Sequence, residues 1–144
     1  VTMTAASPTA TGVPGYSETV PCEPESAHKA RLLVSAALSA WGITELTEAG
    51  TLIVSELLTN AINHTRSRMA RVIVRRVAND RVRIGVADTS PDVPEVGRPS
   101  EEAEEGRGLL LVNTLSDRWG YDVKGRGKGT YKVVWAELLV EERA

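Results

Sequence analysis

The chain has no phenylalanine, one cysteine, no marked excess of either charge and no apolar run long enough to span a bilayer. Without phenylalanine, the interior must be built from Leu, Val, Ile and Ala with help from the three tryptophans. The one cysteine, Cys22, excludes an internal disulfide. It reads as a small buried hydrophobe near a strand end rather than as a nucleophile. A formal net charge of -2 gives no electrostatic case for a nucleic-acid partner. No basic segment leads into an apolar one in the manner of a secretion signal, and no stretch approaches the roughly 20 apolar residues of a membrane helix. The expectation is a cytoplasmic protein without membrane contact. No internal repeat is present, and 144 residues suit a single domain with one core.

What is there is organised around residues 53–65, the second half of a helix expected to begin near Glu45. At about 100° per residue, Leu46, Ala49, Leu52, Ile53, Leu57 and Ala61 share one broad apolar side. Thr51, Ser55, Thr59 and Asn63 lie opposite. Glu56, Asn60 and His64 recur every fourth residue and stack as a ridge inside the apolar arc. A carboxylate and an amide in such a place are paired, solvated in a pocket or bound to a ligand, because burying them unpaired costs several kcal/mol.

Along the rest of the chain, residues 1–16 are rich in Thr, Ala, Ser, Pro and Gly and read as a disordered tail. Residues 16–22 are expected to form an edge strand stopped by Pro24. Helical spacing holds over 25–41 and Gly42 ends it; His28 falls on the polar side, as a solvated residue. Two strands follow at 72–78 and 82–88, with Asn79-Asp80 as the hairpin turn. Over 89–105 no period survives: Pro91, Pro94 and Pro99 interrupt, and Glu101, Glu102, Glu104 and Glu105 cluster. That length suits a functional lid or a solvated acidic loop. Gly106-Arg107-Gly108 then opens an apolar helix, Trp119, Tyr121 and Val123 alternate as a strand, and a glycine-rich turn at 125–129 leads to a last strand over 130–138. The order strand, helix, helix, strand, strand, loop, helix, strand, strand predicts a two-layer α/β (α+β) sandwich. Its sheet is expected to be mixed and mostly antiparallel, with the helices on one face.

Three pieces carry chemistry. Glu56 can act as a general base or orient water, and the Asn60 amide oxygen, one turn on, suits Mg²⁺, a cation that keeps several waters and bridges phosphates. Asp88, at a strand end, can accept a hydrogen bond from an exocyclic amino group such as that of adenine. Gly106 and Gly108 at a helix start allow close backbone approach and leave N–H groups open to a phosphate. Taken singly each is common, and a strand-end Asp is most often a turn or cap residue.

In order and spacing they resemble a known family. Glu56-x-x-x-Asn60-x-x-x-His64 resembles the N-box of the GHKL (histidine kinase-like) ATPases. Asp88 stands where that family has its adenine-binding Asp at the head of the G1 box. Gly106-Arg107-Gly108-Leu109 looks like the G2 box, and Gly129-Thr130 resembles the Gly-Thr before the last strand. The resemblance implies the Bergerat ATP-binding fold over 17–139, between tails at 1–16 and 140–144. It implies ATP and Mg²⁺ as cofactors, with Glu56 as catalytic base, Asn60 as metal ligand and Asp88 as adenine reader. Gly106, Arg107, Gly108 and Leu109 would lie along the phosphates, and Thr130 would support the base. A second role for Arg107, pairing with the nearby glutamates, stays open, and no chemistry falls to His64. The short form with two N-terminal helices looks like the RsbW- and SpoIIAB-like anti-sigma serine/threonine kinases, in the style of stand-alone actinobacterial members. That resemblance implies a sigma factor and a STAS-domain antagonist as partners, and a homodimer. One departure stands out: the G1 box usually continues Asp-x-Gly-x-Gly, whereas this chain has Asp88-Thr89-Ser90-Pro91-Asp92. The alternative function is therefore a non-catalytic module that sequesters its partner, with or without a held nucleotide.

Overall fold

A computed structural model describes residues 7–8, 14–64, 68–89 and 103–141, giving the backbone alone for 7–8, 103–108 and 128. Six strands and three α-helices follow in order among the described residues: β1 (Ser7–Pro8), β2 (Pro14–Pro21), α1 (Ser26–Ala40), α2 (Thr47–His64), β3 (Met69–Ala78), β4 (Arg81–Asp88), α3 (Ala103–Leu115), β5 (Arg118–Lys124) and β6 (Tyr131–Leu139). The strands form one sheet in the order β1-β2-β3-β4-β6-β5. Every described pairing is antiparallel, in line with the mostly antiparallel sheet expected. The reason is topological: β5 runs in the same direction as β4, but β6 inserts between them and pairs antiparallel with both. Strand β2 takes in the last three residues of the stretch read as a tail, and Ser7–Pro8 pairs with Pro14 and Gly15.

Period-two alternation divides the sheet into two faces. Val72 and Val74, Val82, Ile84 and Val86, and Val134, Ala136 and Leu138 point inward and are buried. Helices α1 and α2 cover this face, and α3 packs on α2. Leu33, Val34, Ala37 and Leu38 of α1 and Ile53, Val54, Leu57 and Leu58 of α2 complete the core. Each such side chain contributes about 1.5–3 kcal/mol by leaving water. Strand β2, which β1 flanks on its outer side, is tied down by Tyr16, whose ring lies 5.7 Å from that of Trp41 just past α1. As expected, Gly42 ends α1: at φ +70 it adopts the left-handed conformation glycine tolerates. The Ile43 amide then reaches back to the Leu38 carbonyl at 3.0 Å.

The buried stripe of α2 is rotated from the one the helical wheel suggested. Gly50, Val54 and Leu58 belong to it, whereas Leu52 is 41% exposed. Gly50 explains the rotation. A Cβ there would lie 3.1 Å from Val34, 3.2 Å from Leu38 and 3.4 Å from Ile84, so glycine brings α2 down onto α1 and the sheet. Helix α3 starts at Ala103, ahead of the Gly106 start read from the glycines. Ala103, Glu104 and Glu105 are good helix formers, and acidic residues suit a helix N-terminus.

Candidate functional site

The rotation of α2 decides where Glu56, Asn60 and His64 sit. All three lie on the flank of the buried stripe and are half-buried, neither sealed in the core nor fully in water. Successive members are one helical turn apart, with Cβ atoms about 5–6 Å from each other. The helix that carries them packs on β4, the strand that ends in Asp88, and on α3, which carries Gly106 and Gly108. Both glycines fall within the first two turns of α3, and the side chain of Arg107 lies outside what is described. Leu109 is buried at 2% exposure. Residues 90–92 of the altered G1 box, and all but Thr89 and 103–105 of the expected lid, also lie outside the described residues.

Asp88 is the last residue of β4 and continues the inward series of Val82, Ile84 and Val86. It is buried, as is Lys132, the residue directly opposite it on β6. The Lys132 ammonium nitrogen lies 3.9 Å from an Asp88 carboxylate oxygen, with side-chain exposures of 5% and 1%. This is an ion pair in the apolar layer, placed by strand register. The half-buried Cys22 feels the same charge: burial and then the Asp88 carboxylate push its thiol above the usual range. A thiol held protonated in this way is a poor nucleophile, as the sequence reading expected. Thr130 is exposed and donates its hydroxyl to the Gly127 carbonyl at 2.8 Å, so it closes its own turn. That turn needs Gly125 at φ +87, where a Cβ would come within 2.2 Å of the Gly129 carbonyl oxygen.

Two features escaped the sequence reading. Lys132 was legible in principle, because it heads the inward series Lys132, Val134, Ala136, Leu138, where a lysine must find a partner. The second is on the uncovered face of the sheet. Glu137 is fully buried there, with side-chain bonds from Arg83 Nε at 2.7 Å, Arg81 at 3.0 Å and Arg118 at 2.5 Å. Burial alone would raise its carboxyl, but the bonds and charges of Arg118 and Arg83 outweigh that and hold it below the usual range. Arg83 also stacks 4.3 Å from the Trp135 ring centre. A groove of about 460 Å³ runs over this face past Arg71, Arg75, Gly85 and Trp135 to Asp88 and Thr89. Neither Glu56 nor Asn60 lines it.

An amide and a carboxylate one turn apart on a helix that packs on a strand ending in Asp and on a helix with glycines in its first two turns define a class. The chain belongs to the histidine kinase-like ATPase domain family, whose profile matches residues 20–135, and so to the GHKL superfamily. Among individual proteins it is 33% identical over 75 residues to an uncharacterised protein of Streptomyces coelicolor, a match covering 50% of this chain and 71% of that protein. Among solved structures it is similar to full-length ShkA in complex with AMPPNP, with a TM-score of 0.55 and 20% identity over 88% of this chain. The match spans 32% of the ShkA chain, so the likeness is one of domain fold. No helix among the described residues is long and apolar enough to cross a membrane.

Proposed function

We propose that this chain is an ATP-binding regulatory protein, and specifically an anti-sigma factor serine/threonine kinase that sequesters a sigma factor and phosphorylates a STAS-domain antagonist. The observation that carries the reading is the half-buried pair Glu56 and Asn60 on α2, the helix that packs on the strand ending in Asp88, within a chain of the histidine kinase-like ATPase family. The match to an AMPPNP-bound protein supports the nucleotide as an adenosine triphosphate. The donor set fits Mg²⁺ as well. No three His, Cys, Asp or Glu groups among the described residues form a metal cage. A single Asn oxygen is what a cation largely held by phosphates and water requires.

Mg²⁺-ATP, when bound, supplies the phosphoryl group and the charge that neutralises its transfer. In this reading Asn60 would give its amide oxygen to the metal and Asp88 would accept from the adenine amino group. The free N–H groups of the first turn of α3, from Ala103 to Gly106, would face the phosphates, and Gly108 would leave room for their close approach. Glu56 takes the proton of the attacking Ser or Thr hydroxyl. A second reading, a partner-sequestering module without catalysis, is favoured by two observations. Thr89-Ser90-Pro91 replaces the G1 glycines, and Lys132 already lies against the Asp88 carboxylate.

Calorimetric titration with ATP, with and without Mg²⁺, beside transfer of labelled γ-phosphate to STAS-domain partners, tests both readings. Mg²⁺-dependent binding with transfer supports the kinase. Binding without transfer or hydrolysis supports the sequestering module, and the absence of any nucleotide binding removes the nucleotide from the function.

A further inference from the structure

A buried lysine is the least expected feature of the inner layer. Lysine is rarely fully buried unless paired, because removing an ammonium from water costs more than most single contacts return. Lys132 is nevertheless 4% exposed, in a strand whose other inward residues are Val134, Ala136 and Leu138. Antiparallel register sets it directly across from Asp88. The two charged groups are 3.9 Å apart, close enough for strong attraction in a water-poor layer yet beyond hydrogen-bond reach.

We propose that Lys132 is a resting counter-ion built into the base-reading end of the nucleotide site, where it competes with the base's amino group for the Asp88 carboxylate and so weakens adenine-nucleotide binding. This rests on the reading of Asp88 as the group that faces the base. In the resting chain the carboxylate is compensated by an ammonium rather than waiting for a ligand. An incoming amino group must share the carboxylate or displace Lys132, and the cost of loosening the buried pair comes out of the binding energy. Thr130, the other residue read as supporting the base, is turned away, with its hydroxyl on Gly127. The device thus lies in the sheet register itself, in residues distinct from the altered G1 loop.

The test uses the full chain and the variant Lys132→Met, which keeps length and removes charge. Binding of ATP, of inosine triphosphate and of inorganic tripolyphosphate is measured by calorimetry with Mg²⁺ present. Inosine carries a carbonyl where adenine carries the amino group, and tripolyphosphate carries no base. Lys132→Met is expected to bind ATP about tenfold more tightly, the effect of removing one charge-assisted competitor. No gain is expected for inosine triphosphate or tripolyphosphate, since losing a positive charge cannot by itself favour an anion. The nucleotide-free variant should melt below the wild type. That loss should vanish in the Asp88→Asn background if the two charges are coupled. Should Lys132→Met not fold, Lys132→Gln, which keeps a neutral donor, is expected to show a smaller gain in the same direction. Unchanged or weaker ATP binding by variants of a wild type that does bind overturns the inference and leaves the nucleotide reading standing. An equal gain for all three ligands also overturns it. Failure of both wild type and folded variants to bind any nucleotide overturns it together with the proposed function.

Discussion

Replacing Glu137 by Gln changes one atom type at the point where three arginines converge. The carboxylate accepts from Arg83 and Arg118 and, at 3.0 Å, from Arg81, and is itself fully buried. Glutamine keeps the shape but turns one acceptor into a donor facing a guanidinium and removes the neutralising charge. Breaking a buried pair by removing one partner costs about 3–5 kcal/mol. Here the arginines are 25%, 33% and 59% exposed, and can partly recover water when the carboxylate is gone. The expected loss is therefore about 2–3 kcal/mol, the value of a strong charge-assisted contact. For a domain of this size that lowers Tm by about 6–12 °C. The effect should depend on pH with a definite sign. The Glu137 carboxyl is held below its usual range, so its ionised form favours the fold. That stability is fully present above the unfolded value of about 4.3 and is lost as pH falls through the lower folded value. Urea unfolding of wild type and Glu137→Gln from pH 7 down to pH 3 should show a constant gap above about pH 5 that narrows as the solution is acidified. A gap below about 0.5 kcal/mol at pH 7, or one that widens in acid, would refute the assignment.

Glu56→Ala should retain Mg²⁺-ATP binding while slowing phosphoryl transfer by about 10²- to 10⁴-fold, and Asn60→Ala should weaken the Mg²⁺-dependent part of binding; both are read by calorimetry beside a labelled-phosphate assay. Gly125→Ala should destabilise the fold by about 2 kcal/mol or more in thermal denaturation. It places a Cβ on the Gly129 carbonyl at a positive φ. Gly50→Val should cost about 1–3 kcal/mol by forcing α2 off Val34, Leu38 and Ile84. Leu52→Ala on the exposed flank of the same helix should cost much less, a contrast that denaturant unfolding resolves.

The fold was legible wherever one period dominated. The alternation Val82, Ile84, Val86 gave β4 its face, and the four-residue spacing of Glu56, Asn60 and His64 put them on one ridge of α2. The reading failed where a residue acts through what it lacks or through a distant partner. Gly50 has no place in the apolar arc of the helical wheel, yet its missing side chain sets how deeply α2 sits, and hence that Leu52 faces out and Glu56 sits on a flank. Lys132 went unnoticed, because only the pairing of β4 with β6, more than 40 residues apart in sequence, puts it beside Asp88. Local spacing holds no information on which strands become neighbours across such a separation.

The same ladder links the two charged clusters on opposite faces of the sheet. In the register of β4 with β6, Arg83 faces Glu137 on the open side and Asp88 faces Lys132 on the helix side. Side chains alternate with a period of two, so a slip of one residue would carry Lys132 to the open face and put Val133 or Tyr131 against Asp88. Valine and alanine positions in the middle of both strands would tolerate such a slip poorly but would not forbid it by charge. Glu137 does: displaced by one position it would enter the apolar layer and leave Arg81, Arg83 and Arg118 uncompensated. The open-face cluster therefore pins the register that builds the Asp88–Lys132 pair from the opposite side of the sheet. It follows that the loss from Glu137→Gln should appear in global stability and leave nucleotide affinity of the folded fraction near the wild-type value. Lys132→Met should instead move both.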